Sequence, residues 1–395
     1  MGSEFLTSPF DNLLKPVDDH LIVHNELMSS LILGNKIQIH TSEYGIPDLD
    51  TTKIVIIGIP ENRNSIDYLG DELNLNEIRK SLYNLYPGNW STEIADLGNL
   101  ILGESVEQTY GRIISMLSIL FEKNIIPIII GGSHDLLYAN YRAYDSFKST
   151  VNIVNIDSNF DIGDSAKPIN NLSYLGKIIL DEPHNLFNYS NLGYQTYHNS
   201  QEEIDLMENL YFESYRLGEV CSNIRLSEPV MRDADIVSID LKSVRASELS
   251  SRQKFSPNGF DGKEICSLSR YAGISNKVSS FGIYEYKSSN EDEITEMLIS
   301  QIIWYFIEGV NCRIQDSDFQ NDEDYNKFTV IVDEYELVFY QNKITSRWWI
   351  EIIGDGSNNK LKQNTLLPCT LDDYEVAKNG MIPERWFKAI KKNVL

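Results

Sequence analysis

The sequence predicts an α/β protein in which helices cover both faces of a mainly parallel sheet, giving three layers α/β/α. Two observations support this prediction. Short segments rich in β-branched residues, several ending in glycine, have the composition of strands that are buried on both faces. These segments alternate with segments of helical spacing from about residue 50 to about residue 310. Strands that alternate with helices in this way build a parallel sheet.

Five segments are predicted as strands of this sheet. The first has the sequence KIVIIG and ends in Gly58, as a buried parallel strand commonly does. In the second, Pro127 stands near the start, where its missing N–H is tolerated. The predicted strands are Lys53–Gly58, Ile125–Gly132, Val151–Asp157, Ile236–Leu241 and Val278–Tyr286.

Five segments between and after these strands have apolar residues at helical spacing, which predicts amphipathic helices packed on the sheet. The predicted helices are Asn74–Leu85, Val106–Glu122, Leu136–Phe147, Lys263–Ala272 and Glu291–Glu308.

The pattern changes after Gly309, and residues 311–395 are predicted as a small β-rich C-terminal extension. Residues 316–326 are polar and acidic, which favours a loop. Three antiparallel strands and a short helix follow, and Trp348 and Trp349 should face opposite sides of their strand, with one buried and the other outward or at an interface. Residues 1–5 are interpreted as a cloning scar, which leaves residues 6–310 for the α/β domain. The predicted elements of the extension are Phe328–Val332, Glu336–Tyr340, Arg347–Ile353 and a helix near Pro383–Lys391.

The composition excludes several classes of partner. The chain of 395 residues is 42% hydrophobic and 23% charged, as in an ordinary soluble globular protein. Its 34 basic and 58 acidic residues give a net charge of −24, which disfavours nucleic acids and anionic membranes. No apolar segment is long enough to span a membrane, and no export signal precedes the domain. The four cysteines are scattered without a CxxC pair, so we expect a cytoplasmic protein.

Four of the predicted strands end in residue types that bind metals or substrates. In open α/β sheets such groups gather at the carboxyl ends of the strands. Each group alone is a weak signal, because glycine turns and acidic caps are common, but their joint occurrence on successive strand ends is hard to dismiss. The groups are Gly131-Gly132-Ser133-His134-Asp135, Asp157-Ser158-Asn159-Phe160-Asp161, Ser238-Ile239-Asp240-Leu241-Lys242 and Tyr284-Glu285-Tyr286.

In this order the groups resemble the ureohydrolases, the family of arginase, agmatinase and formimidoylglutamase. The family's strand-end signatures are GGDHS, DAHxD and SxDxD, followed by a glutamate on the last strand. Here they are GGSHD, DSNFD, SIDLK and IYE. The resemblance extends over roughly residues 50–310 and includes Ser256-Pro257-Asn258-Gly259. It implies an arginase-like domain over residues 6–310, a mainly parallel sheet of about eight strands, and a homo-oligomer.

The family's site binds two Mn²⁺ ions that share a bridging hydroxide. Carried over to this chain, the resemblance assigns Asp161 and Glu285 as catalytic residues. Glu285 matches the glutamate that holds the cationic group of the substrate. The implied ligands of the first metal are His134, Asp157, Asp161 and Asp240.

The positions of the second metal are replaced. Asn159 stands where the family has a histidine, and Lys242 stands where it has an aspartate. The family's histidine on the following loop has no clear counterpart in the segment Leu172–Gly176. In the family, the charges of four aspartates and two Mn²⁺ sum to zero. Here the charges of three aspartates, one divalent ion and one lysine also sum to zero. We therefore expect the Lys242 ammonium within hydrogen-bonding distance of Asp157 or Asp240, in place of the second Mn²⁺.

These replacements leave two functions open. One is a pseudoenzyme, in which the ureohydrolase scaffold serves ligand binding or protein interaction. The alternative is a hydrolase of a linear amidine-type C–N bond, similar to formimidoylglutamase or agmatinase, that uses one metal. A cofactor of one Mn²⁺ or another divalent ion fits both functions, and the pseudoenzyme also fits no metal. A small cationic or amidine-type ligand is the expected partner, although Lys242 disfavours a guanidinium group.

Overall fold

The central sheet of the protein is mainly parallel, as predicted. The computed structural model describes residues 10, 12–67, 70, 73–164, 166–250, 255–288, 293–314, 323–353, 361 and 365–394. Within these ranges, the strands of the sheet are β1 (Leu14–Lys15), β2 (Gln38–Ile39), β3 (Ile54–Ile59), β4 (Ile94–Leu100), β5 (Ile126–Gly131), β6 (Val151–Ile156), β7 (Leu186–Tyr194), β8 (Glu213–Arg216), β9 (Ile236–Asp240) and β10 (Ser280–Tyr284).

The strands lie in the order β1-β4-β3-β5-β10-β9-β6-β7-β8, with β2 beside β4. Every neighbouring pair in this sheet is parallel except β1 with β4. The strands β1 and β2 have only two residues each, so the body of the described sheet is the eight parallel strands β3–β10. This confirms the prediction of about eight strands.

Helices cover both faces of the sheet, because both faces are apolar. Along β3, Ile54 and Ile56 face one core while Val55 and Ile57 face the other. The helices of this domain are α1 (Asp19–Leu27), α2 (Asn76–Tyr83), α3 (Val106–Glu122), α4 (Leu136–Arg142), α5 (Tyr174–Leu180), α6 (Gln201–Asn209), α7 (Leu217–Ser222), α8 (Ser227–Arg232), α9 (Gly262–Ile274) and α10 (Ile294–Asn311). The helices α2, α9 and α10 pack in the first core, and α3, α4 and α5 pack in the second.

Five strands of the described sheet, β1, β2, β4, β7 and β8, were not predicted. The strands β1 and β2 have only two residues each, and β7 shows how a longer strand was missed. Its sequence LFNYSNLGY is fully buried but rich in polar residues. Asn188 Nδ2 donates to Ser190 Oγ (3.1 Å) and to Glu213 Oε1 (3.2 Å), and Asn191 Nδ2 donates to the Asn159 carbonyl (2.8 Å). Because hydrogen bonds inside the protein engage the Nδ2 groups of both amides, polar residues are tolerated in this buried strand, and it lacks the apolar pattern that identifies its neighbours.

The C-terminal residues form a separate antiparallel sheet followed by two helices, which confirms the predicted β-rich extension. The elements are β11 (Tyr325–Val332), β12 (Tyr335–Asn342), β13 (Trp348–Ile352), β14 (Thr365–Cys369), α11 (Leu371–Lys378) and α12 (Glu384–Val394). The strands pair in the order β11-β12-β13-β14. Residues 1–5, interpreted as a cloning scar, and most of the predicted loop 316–326 lie outside the described residues.

The two tryptophans of β13 face different surroundings. Trp348 packs against Phe328 and Tyr374 in the core of the small sheet. The Trp349 ring lies 4.6 Å from the guanidinium of Arg232 in α8. The opposite orientations are as expected, but both side chains are buried, since the parallel-sheet domain covers the side of the strand that carries Trp349.

Buried polar contacts join the two sheets. Arg385 Nε in α12 donates to Glu213 Oε2 in β8 (3.0 Å), and Lys392 Nζ donates to Asn188 Oδ1 in β7. Burial opposes ionisation of Glu213, yet the charges of Arg385 and Lys392 lower its pKa to about 2. The extension is therefore held to one edge of the sheet by paired buried charges.

No helix in the described ranges is both long and apolar enough to cross a membrane.

Candidate metal centre

The carboxyl ends of four adjacent strands bring the predicted site residues together. The strands lie in the order β5-β10-β9-β6. His134 follows β5, Glu285 follows β10, Asp240 ends β9 and Asp157 follows β6. Although β5 and β6 are consecutive strands of the chain, β10 and β9 lie between them. Such a change in winding direction is where open α/β sheets place their functional sites.

Four buried side chains form a compact cluster at this edge. The His134 Nδ1 atom lies 3.1 Å from Asp240 Oδ2, 3.4 Å from Asp157 Oδ2 and 3.6 Å from Asp161 Oδ2. One potential ligand atom from each of the four residues lies within 4.8 Å of all the others. Within the described ranges this is the single group of His, Cys, Asp and Glu side chains close enough to hold a metal ion.

The two glycines before His134 are required by close packing of the backbone. A Cβ atom on Gly132 would lie 2.2 Å from the carbonyl oxygen of Glu61. The N–H of Gly132 donates to Ile59 O (3.0 Å), and its carbonyl accepts from the N–H of Glu285 (2.6 Å). The backbone N–H of His134 in turn donates to Glu285 Oε1 (3.0 Å). Glycine at position 132 therefore lets this turn lie against the chain that follows β3, and the backbone bond to Glu285 joins the turn to the end of β10, where the site lies.

The ring of His134 is held in one orientation. Its Nε2 atom lies 2.7 Å from Ser238 Oγ and 3.4 Å from the Tyr174 hydroxyl, and the ring stacks on Tyr284. Partners of this kind leave the other ring nitrogen, Nδ1, facing the aspartates, as a metal-binding histidine requires. Burial favours the neutral imidazole, but the three carboxylates outweigh it and raise the pKa of His134 well above its ordinary value.

Asp161 is the strongest sign that this cluster accommodates a cation. Both of its carboxylate oxygens are buried, and neither has a hydrogen-bond partner in the described part of the chain. Burial and the charge of Asp157 raise the pKa of Asp161 well above its ordinary value. Its backbone has φ of 56°, a left-handed conformation that aspartate tolerates better than most residues. A buried acceptor without a donor is costly, and a cation would supply the missing partner.

The side chain of Asn159 does not contribute to the cluster, although its backbone N–H donates to Asp157 Oδ1 (3.0 Å). Its Oδ1 accepts from Ser158 Oγ (2.8 Å), and its Nδ2 donates to the carbonyl of His198 (3.1 Å). Both polar atoms of the amide are thus engaged elsewhere. This agrees with the interpretation that Asn159 does not replace a histidine as ligand of a second metal.

The predicted partner of Lys242 is wrong. Its Nζ atom pairs with Glu285 Oε2 at 3.1 Å rather than with Asp157 or Asp240. The reason is the register of the sheet, in which Asp240 lies beside Tyr284 and so places Lys242 next to Glu285. Burial opposes the charge, but Asp240 and Glu285 raise the pKa of the Lys242 ammonium above its ordinary value. The side chain is 17% exposed, so it is largely buried, as expected.

Glu285 has partners on both carboxylate oxygens. Oε1 accepts from the His134 N–H (3.0 Å) and from Asn171 Nδ2 (3.1 Å), while Oε2 faces Lys242. Asn171 was not predicted, and its only sequence signal is its place on the loop after Asp161. Ser238 was not predicted either, although it opens the group SIDLK.

The donor set suits a metal ion at the first position only. One imidazole nitrogen and three carboxylate oxygens are ligands that suit Mn²⁺ and similar divalent ions. The unpaired oxygens of Asp161 fit such an ion. At the second position, Lys242 and the engaged amide of Asn159 offer no such donors. The roles of all these residues in metal binding or catalysis stay predictions.

Comparison with known proteins agrees with the geometry. The arginase family matches residues 52–308. The formimidoylglutamase of Clostridium tetani is 23% identical over 257 residues, which cover 59% of this chain and 75% of that enzyme. The formimidoylglutamase of Lysinibacillus sphaericus is 25% identical over 164 residues, which cover 40% of this chain and 50% of that enzyme.

Solved structures support the same fold. The formiminoglutamase of Trypanosoma cruzi with Mn²⁺ has a TM-score of 0.61 at 16% identity, covering 72% of this chain and 99% of that one. The formimidoylglutamase of Bacillus subtilis has a TM-score of 0.60 at 18% identity, covering 70% and 97%. Since the family match spans well over half of the sequence and includes every strand end of the cluster, this chain belongs to the arginase family.

Proposed function

We propose that this protein is a ligand-binding member of the arginase family that holds one divalent cation and does not carry out two-metal hydrolysis. The cation site comprises His134, Asp157, Asp161 and Asp240, whose candidate ligand atoms cluster within 4.8 Å. In this proposal the protein is a pseudoenzyme with respect to arginase, agmatinase and formimidoylglutamase. Its cytoplasmic location and its assembly as a homo-oligomer stay predictions.

The observation that carries the proposal is the ion pair between Lys242 and Glu285, with Nζ 3.1 Å from Oε2. Relatives use the matching glutamate for the cationic group of the substrate, as the family resemblance implies. Here a side chain of the protein itself occupies that carboxylate. A lysine ammonium beside the cluster also repels a second divalent cation.

The chemistry that a divalent cation supplies is Lewis acidity, which lowers the pKa of water enough to generate a nucleophile. His134 would be oriented for binding by Ser238, and Asp161 would gain the partner that its two buried oxygens lack. Because the first-metal residues are all present, a second candidate function is a one-metal hydrolase of a linear amidine-type C–N bond. The formimidoylglutamase relatives favour this candidate.

One experiment separates the two candidates. The protein is stripped with EDTA and reloaded with Mn²⁺, and bound metal is counted by elemental analysis and electron paramagnetic resonance. Product release is then measured, as urea from arginine, agmatine and guanidinobutyrate, as formamide from formiminoglutamate, and as ammonia from all four. We expect one ion per chain and no release. Two tightly bound ions would contradict the proposed site, and turnover of formiminoglutamate would favour the hydrolase.

Matched variants test the residues of the site. The substitution His134→Ala should abolish Mn²⁺ binding, since it removes the nitrogen ligand at the centre of the cluster. The exposed His184 lies on the turn before β7, outside the cluster, so His184→Ala should bind one ion as the unmodified protein does. Equal binding by both variants would place the metal elsewhere.

A further inference from the structure

We infer that the site beside the cation takes an uncharged ligand with a carbonyl oxygen, such as a carboxamide or ureide, and that Lys242 donates to that oxygen. The inference rests on the proposed function, because it takes one divalent cation to be bound at the cluster. It adds the chemical class of the ligand, which follows from the charges and contacts around Lys242 and Glu285.

A cationic ligand is excluded because Lys242 already pairs with Glu285, the carboxylate that would bind it. Glu285 Oε1 accepts from His134 N–H and Asn171 Nδ2, and Glu285 Oε2 faces the Lys242 ammonium at 3.1 Å. An amidinium group would have to displace a tethered lysine from a buried carboxylate. The displaced ammonium would then lie beside a second positive charge in the same site, which is unfavourable.

An anionic ligand is excluded by the net charge of the site. Asp157, Asp161, Asp240 and Glu285 carry four negative charges, all on buried side chains. Lys242 and one divalent cation supply three positive charges, which leaves a net charge of −1. A carboxylate ligand would raise this to −2 among buried groups, where like charges are costly.

The remaining class is a neutral group that accepts hydrogen bonds. The Lys242 ammonium carries three N–H donors, and Glu285 is its single ion-pair partner among the described residues. The Lys242 side chain is 17% exposed, so a ligand can reach it. A carbonyl oxygen accepts from an ammonium without adding net charge. Lys242 is thus a specificity-determining residue. It changes the preferred ligand of the site from a cation to a neutral carbonyl group.

Three compounds of nearly the same shape isolate the effect of charge. Butyramide is neutral, butyrate is anionic and butyramidinium is cationic. Each is added to the Mn²⁺-loaded protein, and the paramagnetic relaxation of its methyl protons measures binding close to the bound ion. Titration calorimetry gives the affinities. We expect butyramide to bind at least about tenfold more tightly than the other two, a difference of about 1.4 kcal/mol.

A variant of the lysine should invert this preference. Lys242→Met removes the ammonium and leaves the Glu285 carboxylate without its positive partner, so butyramidinium should become the preferred ligand. Adding Glu285→Gln to that variant should abolish the gain. The exposed Lys36→Met is the matched control and should keep the preference of the unmodified protein.

The outcomes distinguish the inference from the proposed function. If one Mn²⁺ is bound and butyramidinium or butyrate binds best to the unmodified protein, the inference is overturned while the metal site stands. If no Mn²⁺ is bound, both are overturned, because the charge balance requires the ion. The order of affinities in the unmodified protein decides between these outcomes by itself, even if circular dichroism shows that a variant fails to fold.

Discussion

Replacing Asp161 by asparagine should stabilise the metal-free protein and abolish its response to Mn²⁺. The carboxylate of Asp161 is buried, lacks hydrogen-bond partners within the described residues and lies beside Asp157 and Asp240. Asparagine keeps the size of the side chain, tolerates the observed φ of 56° and carries no charge. It can also donate to a neighbouring carboxylate, which an ionised aspartate cannot do. Each of these differences favours the variant when no cation is present.

The expected size follows from the unsatisfied carboxylate. A buried polar group without a partner costs about 1–3 kcal/mol, so we expect a gain of about 2 kcal/mol in the free energy of unfolding. With an unfolding entropy of about 2.1 cal/mol/K per residue, this corresponds to a rise of about 2–3 °C in Tm for a chain of 395 residues. Mn²⁺ at about 100 times its Kd should stabilise the unmodified protein by about 2.7 kcal/mol.

The pH dependence gives an independent check. Burial and the charge of Asp157 raise the pKa of Asp161 in the folded state, so the folded protein binds this proton more tightly than the unfolded chain does. The free energy of unfolding of the metal-free protein should therefore fall as the pH rises above the ordinary aspartate pKa of about 3.9. Asp161→Asn lacks this contribution, so its advantage should grow with pH up to the folded pKa.

Thermal unfolding with EDTA and with Mn²⁺, at several pH values, measures both effects. The control is Asp164→Asn, three residues further along, where the side chain is 54% exposed and pairs with Lys167. That substitution should leave both the metal-free Tm and the Mn²⁺ response unchanged. The reasoning is refuted if Asp161→Asn lowers the Tm in EDTA, or if Mn²⁺ raises the Tm of the variant as much as that of the unmodified protein.

Three further predictions concern the replaced ligands, the histidine and the junction of the sheets. The double substitution Asn159→His with Lys242→Asp should raise bound Mn²⁺ from one to two ions per chain in elemental analysis; an unchanged count would contradict the assignment of these positions. In EDTA, the free energy of unfolding should also fall as the pH rises above about 6.5, because the aspartates hold the proton of His134 in the folded state; denaturant titrations in which His134→Ala keeps the same decline would contradict this. Arg385→Met should lower the free energy of unfolding in urea by about 3 kcal/mol, since it leaves the buried carboxylate of Glu213 without its ion-pair partner. The control Lys388→Met loses only an ion pair to Glu384, which is 77% exposed and lies on the same helix, so it should have little effect.

The fold could be predicted from the sequence where the strands are continuous runs of apolar, β-branched residues. The predicted segments Lys53–Gly58 and Ile125–Gly132 differ by one residue at each end from β3 and β5, because continuous β-branched runs occur where both faces of a parallel strand are buried. Strand β7 was missed because its buried amides make hydrogen bonds to residues distant in sequence. Asn188, for example, reaches Lys392 in the last helix, and no local pattern records that contact.

The site was predictable as a set of residues but not as a set of contacts. The four cluster residues follow strand ends, so a parallel sheet necessarily brings them to one edge. The partner of Lys242 depends on which strand lies beside β9, and β10 carries Glu285 within reach. The strands β9 and β10 are consecutive in the chain and are joined through α9, so a βαβ unit predicts that they are neighbours. What the sequence does not record is the register that pairs Asp240 with Tyr284 and so brings Lys242 to Glu285.

The ion pair between Lys242 and Glu285 also bears on why the cluster is still charged. Three aspartates, a glutamate and a lysine buried at one edge cost free energy that apolar side chains of similar size would not. In the metal-free protein, Lys242 and the protonated ring of His134 compensate only two of the four carboxylates, and Asp161 stays without a hydrogen-bond donor among the described residues. A site without a ligand would be more stable with a smaller charge, as the Asp161→Asn prediction states. The excess negative charge therefore favours a function in which a bound cation balances it, and Lys242 then selects what binds beside that cation.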